Sequence, residues 1–234
     1  KLNNTMVKKS NYAGILGTGH YVPEKTVTNA DLEKIVDTSD AWIQSRTGIC
    51  KRHFAETGMN TSDMCTIAAR QALEMAGITA TDIDMIIVCT LTPDTTIPST
   101  ACIVQKNLGA EHAAVFDLYA ACSGFAYGAV TAAQYIEKGM FTHVLVIGAE
   151  VLSRFLDFSD RNTCVLFGDG AGAAVLGPVE AGFGILGTDM GADGRGGEHL
   201  NIPASGVAVL PTEEARKQGL TYIKMNGKEV YKFA

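Results

Sequence analysis

An α/β fold is predicted by three observations. Short apolar runs recur between longer segments whose apolar residues repeat every three to four positions. Each strand–helix–strand unit is about 30 residues long, the length of a βαβ crossover. The runs are continuous rather than alternating, as in a parallel sheet covered on both faces.

The strand-like runs are Ala13–Leu16, Ile83–Cys89, Ala114–Leu118, Val144–Ile147, Ala173–Leu176, Gly184–Thr188 and Thr221–Lys224. A first helix follows Ser62 as cap, with Met64, Ile67, Ala68, Ala72, Met75 and Ala76 as its apolar stripe and Gly77 as its stop. A second spans Ser99–Leu108, with Pro98 near its start. A third spans Ser123–Lys138, with Phe125, Ala129, Ala133 and Ile136 on one face and Gly139 as its stop. After Asp169 there is little helix: Gly191–Gly197 reads as a loop, and a new helical pattern begins near Asn226. That pattern has too few turns to be stable alone, so the chain is expected to be the front part of a longer fold.

Composition narrows the function classes. The 234 residues carry 19 Lys and Arg against 25 Asp and Glu, a formal charge of −6, which argues against a nucleic-acid binder. At 47% hydrophobic and 19% charged the chain can bury a core, and disorder is excluded for most of it. No apolar window approaches the length of a membrane span, and residues 1–12 lack the apolar stretch of a secretory signal, so the expected location is the cytoplasm. Residues 1–5, ahead of Met6, read as an expression remnant. None of the six cysteines forms a C-x-x-C pair, so reduced thiols and no metal site are expected.

Cys122 is the cysteine with chemical context. It follows the strand Ala114–Leu118 and opens the helix beginning at Ser123, where the helix dipole favours a thiolate. Ala120, Ala121, Ser123 and Gly124 leave room for a substrate carbonyl, the strand–turn–nucleophile–helix arrangement of covalent acyl transfer. A buried small hydrophobe is the other reading of such a residue. Cys89 and Cys102 lie in apolar segments and are assigned to the core.

In Thr38–Gly48, Ser39 or Thr38 caps a short helix and Gly48 closes it, which makes Trp42 and Arg46 neighbours on one face. The pair reads either as a flat cationic surface for a nucleotide base and phosphates, or as a surface cation–π contact. Arg46, Lys51, Arg52 and His53 form a basic stretch, a phosphate-attracting cluster or a solvated loop. Phe167–Ala174 (FGDGAGAA) is followed by an apolar strand, not a helix, so it is no dinucleotide or P-loop motif, and its glycines serve a tight turn.

With GTGHYVPE, TNADLEKIVDTSDAWIQSRTGI, IPSTAC, AACSGFAYG, SDRNT and FGDGAGAAVLGP in order along nearly the whole chain, the sequence resembles β-ketoacyl-(acyl carrier protein) synthase III. The resemblance implies a thiolase-like layered α/β/α fold of two pseudo-duplicated halves. The first half, with the nucleophile, is expected over residues 6–180, and the opening of a truncated second half over 181–234. It implies that Cys122 accepts the acyl group, and that Trp42 and Arg161 hold the coenzyme A adenine, with Arg46 and Thr38 beside the nucleotide. Leu166, Phe167, Met225, Asn226, Gly227 and Tyr231 then line the pantetheine tunnel, while Ile97 and Leu152 belong to the acyl pocket, Ile97 near a homodimer interface.

The implied reaction joins acetyl-coenzyme A to malonyl-acyl carrier protein through a Cys acyl-enzyme. Coenzyme A enters as a thioester substrate; no permanently bound cofactor, metal, nucleic acid or membrane is implied. The family also needs a His and an Asn from its second half, and none of the five histidines (20, 53, 112, 143, 199) falls in that His segment. The alternatives are a non-catalytic or split-subunit partner that binds acyl-carrier, and a secondary-metabolism condensing relative.

Overall fold

The computed structural model describes residues 12–233; the expected remnant at 1–5 lies outside them. In chain order the elements are β1 (Tyr12–Tyr21), β2 (Thr26–Thr28), α1 (Asn29–Leu32), α2 (Asp40–Thr47), β3 (Lys51–His53), α3 (Thr61–Ala76), β4 (Met85–Cys89), α4 (Thr100–Leu108) and β5 (Ala114–Leu118). There follow α5 (Gly124–Glu137), β6 (Val144–Val151), α6 (Arg161–Cys164), β7 (Asp169–Val179), β8 (Leu200–Asn201), α7 (Glu213–Lys217), β9 (Lys224–Met225) and α8 (Gly227–Phe233). These form two compact units, one of residues 12–21, 59–150 and 171–190, the other of 22–58, 151–170 and 191–233. The boundary expected after residue 180 falls inside the first unit.

The first unit is built on a five-stranded sheet ordered β1-β7-β6-β4-β5. β4 runs parallel to both β5 and β6, whereas β1 is antiparallel to β7. Met85, Ile87, Cys89, Val144 and Val146 pack with Ala132, Ala133 and Ile136 of α5 on one face. The intervening Ile86, Val88, Leu145 and Ile147 are equally buried, as strands covered on both faces require. A register shift between Ile15 and Gly17 flips the parity of β1, so that Ala13 joins the α5 side while Gly17 and Gly19 meet α3. A β-carbon at Gly19 would collide with the Ala68 carbonyl, which is why α3 can lie so close.

The helices differ from the expected pattern in one instructive way. Asn60, not Ser62, precedes α3, and its N–H donates to Asp63 Oδ2 at 2.8 Å. Ser62 lies inside the helix, and Ile67 and Met75 of the expected stripe are exposed while Cys65 and Ala69 are buried. In α5 the expected Ala129, Ala133 and Ile136 pack into the core, joined by the unexpected Gly124 and Gly128, while Phe125 lies over Gly148 and stays partly exposed. Glycine and alanine carry little hydrophobic signal, yet they let helix and sheet backbones approach. α4 follows expectation in its span; the structure adds that Ser99 caps it at Cys102 N and Gly109 closes it.

Two expected strands are corrected. Gly184–Thr188 forms none: Ile185 N donates to Ala13 O at 2.9 Å, but Gly184 sits at φ +89° and Leu186 turns out to solvent. Thr221–Lys224 is strand only from Lys224, because Ile223 instead anchors to Phe155 O at 2.8 Å.

The second unit holds two small antiparallel pairs, β2–β3 and β8–β9, and two apolar clusters. Leu32, Ile43, Cys164 and Val165 form one, with Trp42 at its margin; Phe54, Leu156 and Ile223 form the other. Among the described residues no helix is long and apolar enough to cross a membrane.

Candidate active site

Cys122 follows β5 in a single 3-10 turn, Ala121–Ser123, that runs into α5. It is exposed. The residue before it, Ala121, adopts φ +46°, a left-handed conformation that costs a non-glycine residue energy and is characteristic of sites that present a side chain. Burial pushes the Cys65 and Cys164 thiols up, and the Cys89 thiol up to about 12, so these three are inert in water. Cys102 is half-buried and touches the Ser99 hydroxyl at 3.2 Å. Cys50 is exposed but lies beside Gly48 O in the loop closing α2. Only Cys122 combines exposure with a place in the turn that leads directly into a long helix.

The same end of the sheet carries Ile97, 86% exposed, on the loop between β4 and α4. Both residues belong to the first unit. Leu152 belongs to the second, packed against the Phe54–Leu156–Ile223 cluster.

The nucleotide-type residues gather in the second unit. Ser39 accepts from Trp42 N at 3.1 Å and Gly48 closes α2 at φ +73°, which fixes the Trp42 and Arg46 faces as expected. The Arg46 guanidinium carbon stands 4.5 Å from the Trp42 ring centroid and that of Arg161 4.9 Å. Arg161 also donates to Asp37 O at 3.0 Å. Asp40 is held below the usual carboxylate range by hydrogen bonds from Gln44 and then Asn29, and so steadies the first turn of α2.

A cavity of about 900 Å³ opens beside this cluster, lined by Trp42, Arg46, Leu166, Met225, Asn226, Gly227 and Tyr231 among the expected residues. Asn162, Val165 and Lys228 also line it; nothing in the linear pattern marked them, since each is defined only by a neighbour in space. Phe167 lies elsewhere, against Phe54, Leu156 and Ile223. The Thr38 hydroxyl is buried and makes no hydrogen bond.

The basic stretch is corrected. Arg52 is buried, and its guanidinium donates to Val27 O, Asn29 Oδ1 and Val165 O at 3.1, 2.8 and 3.0 Å. His53 Nδ1 pairs with Pro23 O at 2.6 Å. These two are internal braces, and only Lys51 and Arg46 face solvent. The FGDGAGAA segment opens β7, where buried Asp169 accepts from Ala55 N, Ser153 N and the Ser153 hydroxyl at 2.6–2.8 Å. Asp169 is therefore a structural hub that the glycine-centred reading missed.

The 3-oxoacyl-[acyl-carrier-protein (ACP)] synthase III family model matches residues 116–194, the segment holding Cys122. A β-ketoacyl-[acyl-carrier-protein] synthase III from Caldanaerobacter subterraneus subsp. tengcongensis is 58% identical over 95% of this chain and 67% of its own length. One from Geobacillus kaustophilus is 54% identical over 95% of this chain and 66% of its own. The crystal structure of 3-oxoacyl-[acyl-carrier-protein] synthase III from Aquifex aeolicus superposes with a TM-score of 0.85 at 45% identity, covering 95% and 67% of the two chains. The chain thus spans about two thirds of the length of these relatives. Sequence identity at this level, together with the shared thiolase-like α/β fold, shows that the chain belongs to the β-ketoacyl-(acyl carrier protein) synthase III family of condensing acyltransferases.

Proposed function

We propose that this protein condenses acetyl-coenzyme A with malonyl-acyl carrier protein to begin fatty-acid synthesis, with Cys122 as the acyl acceptor. The observation that carries the assignment of Cys122 is its exposed place in a strained turn between β5 and α5. In the first step the Cys122 sulfur attacks the acetyl carbonyl carbon, and the resulting oxyanion meets the backbone N–H of Cys122 itself. The carbonyl re-forms, the coenzyme A sulfur leaves with a proton, and acetyl remains on Cys122 as a thioester. In the second step malonyl-carrier loses carbon dioxide, its carbanion attacks that thioester, and Cys122 is released. The His and Asn that serve this second step in the family have no match among residues 1–234.

Coenzyme A is here a substrate, with no resident cofactor invoked. Trp42 and Arg161 bracket its adenine, Arg46, Lys228 and Thr38 lie toward its phosphates, and Leu166, Met225, Asn226, Gly227 and Tyr231 serve the pantetheine arm. Ile97 and Leu152 bound the acyl chain. A homodimer is supported by β5, an edge strand of the sheet, and by the exposure of Ile97 and Tyr119 close to it. The location is the cytoplasm, where reduced thiols and carrier protein coexist.

The test is acylation of the full-length protein by acetyl-coenzyme A, read by peptide mass. Acetyl is expected on the peptide containing Cys122 and absent in Cys122→Ala. Undiminished condensation by the alanine variant overturns the assignment.

A further inference from the structure

The loop from Thr90 to Thr100 leaves β4, the strand between β6 and β5, and it is held by three carboxylates. At its start, Glu150 accepts from Leu91 N at 3.0 Å and from the Thr92 hydroxyl at 2.6 Å. In its middle, Asp94 accepts from Ser62 N and the Ser62 hydroxyl at 2.9 and 2.6 Å. At its end, Asp117 accepts from Thr100 N and Ala101 N at 2.8 and 2.7 Å. Thr61 and Tyr119 add hydroxyl bonds to Thr92 O and Leu91 O at 2.6 and 3.4 Å. The stem is braced throughout, yet its tip presents Ile97 almost fully to solvent. A short apolar side chain held out on a rigid stem is suited to setting a distance.

The three carboxylates do not share the same constraint. Asp94 and Asp117 follow the ordinary logic of helix starts, each satisfying N–H groups at the beginning of α3 or α4. Glu150 caps no helix. It comes from the end of β6, and its hydrogen bonds go to the loop residues Thr90, Leu91 and Thr92. Burial raises its pKa in spite of those bonds, so the fold holds a carboxyl group where an apolar residue would be easier to bury. Its effect is to fix where the loop leaves the sheet.

We infer that Glu150 is a positioning residue for acyl-chain selection, acting through Leu91 and Thr92 on the loop that carries Ile97. This rests on the reading above in which Ile97 bounds the acyl pocket. Releasing the stem lets Ile97 retreat and admits longer acyl groups.

The experiment uses the full-length protein as wild type, Glu150→Gln, Glu150→Ala, Thr92→Val and Ile97→Gly. Each is assayed for condensation of malonyl-carrier with acetyl-, butyryl- and hexanoyl-coenzyme A. Glu150→Ala is expected to shift the hexanoyl-to-acetyl ratio of kcat/KM upward by about fivefold or more, within the range that one or two methylenes command in an apolar pocket. Thr92→Val, which removes the shorter bond and keeps the carboxylate, shifts it in the same direction and stands in should the alanine variant not fold. Glu150→Gln keeps an acceptor for Leu91 N and is expected to stay near the wild-type ratio.

A uniform loss across all three donors in Glu150→Ala and Thr92→Val, with the ratio unmoved, overturns the inference. So does a ratio in Glu150→Gln as displaced as in Glu150→Ala. Ile97→Gly separates the two layers. If it leaves the ratio unchanged, the acyl-pocket reading of Ile97 fails, and the inference with it. If it alone shifts the ratio, that reading stands and only the role of Glu150 falls.

Discussion

The guanidinium of Arg161 lies 4.9 Å from the ring of Trp42, so α6 and α2 together frame one aromatic face. Arg46 stands 4.5 Å from the same ring, and Asp37 steadies Arg161 through its carbonyl oxygen at 3.0 Å and its carboxylate at 3.7 Å. Trp42→Ala in the full-length protein is expected to weaken coenzyme A binding about tenfold or more, the worth of one stacked base. Asp37→Ala removes only an exposed ion pair and should cost less than about threefold. Isothermal titration with coenzyme A checks both, and equal affinity in Trp42→Ala would sink the adenine assignment.

Cys89 and Gly128 form a second close pair. A β-carbon at Gly128 would stand 2.5 Å from Cys89 Sγ and 2.9 Å from Val146 Cγ1. Gly128→Ala should therefore push α5 off the sheet and destabilise the protein by about 1–3 kcal/mol, the usual cost of overpacking. Adding Cys89→Ala removes the worse clash, so the double variant should recover part of that loss in a denaturant titration. Strict additivity of the two changes would show that the contact does not limit the packing.

The same residues show what the sequence disclosed. β5, the span of α4 and the stop of α3 at Gly77 were legible because apolar runs and Gly report local preferences. Trp42 and Arg46 were legible because helical spacing alone makes them neighbours. Ala129, Ala133 and Ile136 of α5 were legible by the same spacing, but Gly128 was not, since it matters only through Cys89 and Val146 on other elements. Arg52 looked like surface charge because its burial follows from three carbonyl-type acceptors that are distant in the chain. Glu150 carried no motif, and its hold on Leu91 arises from strand order rather than from sequence neighbours.

Arg52 gives a prediction of its own. Its guanidinium satisfies Val27 O, Asn29 Oδ1 and Val165 O, and Asn29 in turn donates to Asp40 and Ile49 O. Burial lowers the Arg52 pKa, but a guanidinium is not deprotonated in proteins, so the charge persists. Arg52→Ala strands several buried acceptors and should cost about 3–5 kcal/mol, far more than Lys51→Ala on the exposed side of β3. Chemical denaturation of both variants checks the contrast, and equal costs would contradict an internal role.

Glu150 predicts how stability varies with pH. Burial raises its pKa in the folded protein above the ordinary glutamate value, so between the two values the folded state holds a proton that the unfolded chain has lost. Stability from this group is complete below the unfolded pKa and declines as pH rises through the folded one. Glu150→Gln cannot ionise and escapes that decline, while still offering an oxygen to Leu91 N. The Tm of Glu150→Gln minus that of wild type should therefore be more positive at about pH 8 than at about pH 4, where the glutamate is largely protonated in the folded state. Thermal scans at the two pH values check the sign. A difference that moves the other way would mean that the hydrogen bonds from Leu91 and Thr92 outweigh burial and hold the carboxylate ionised.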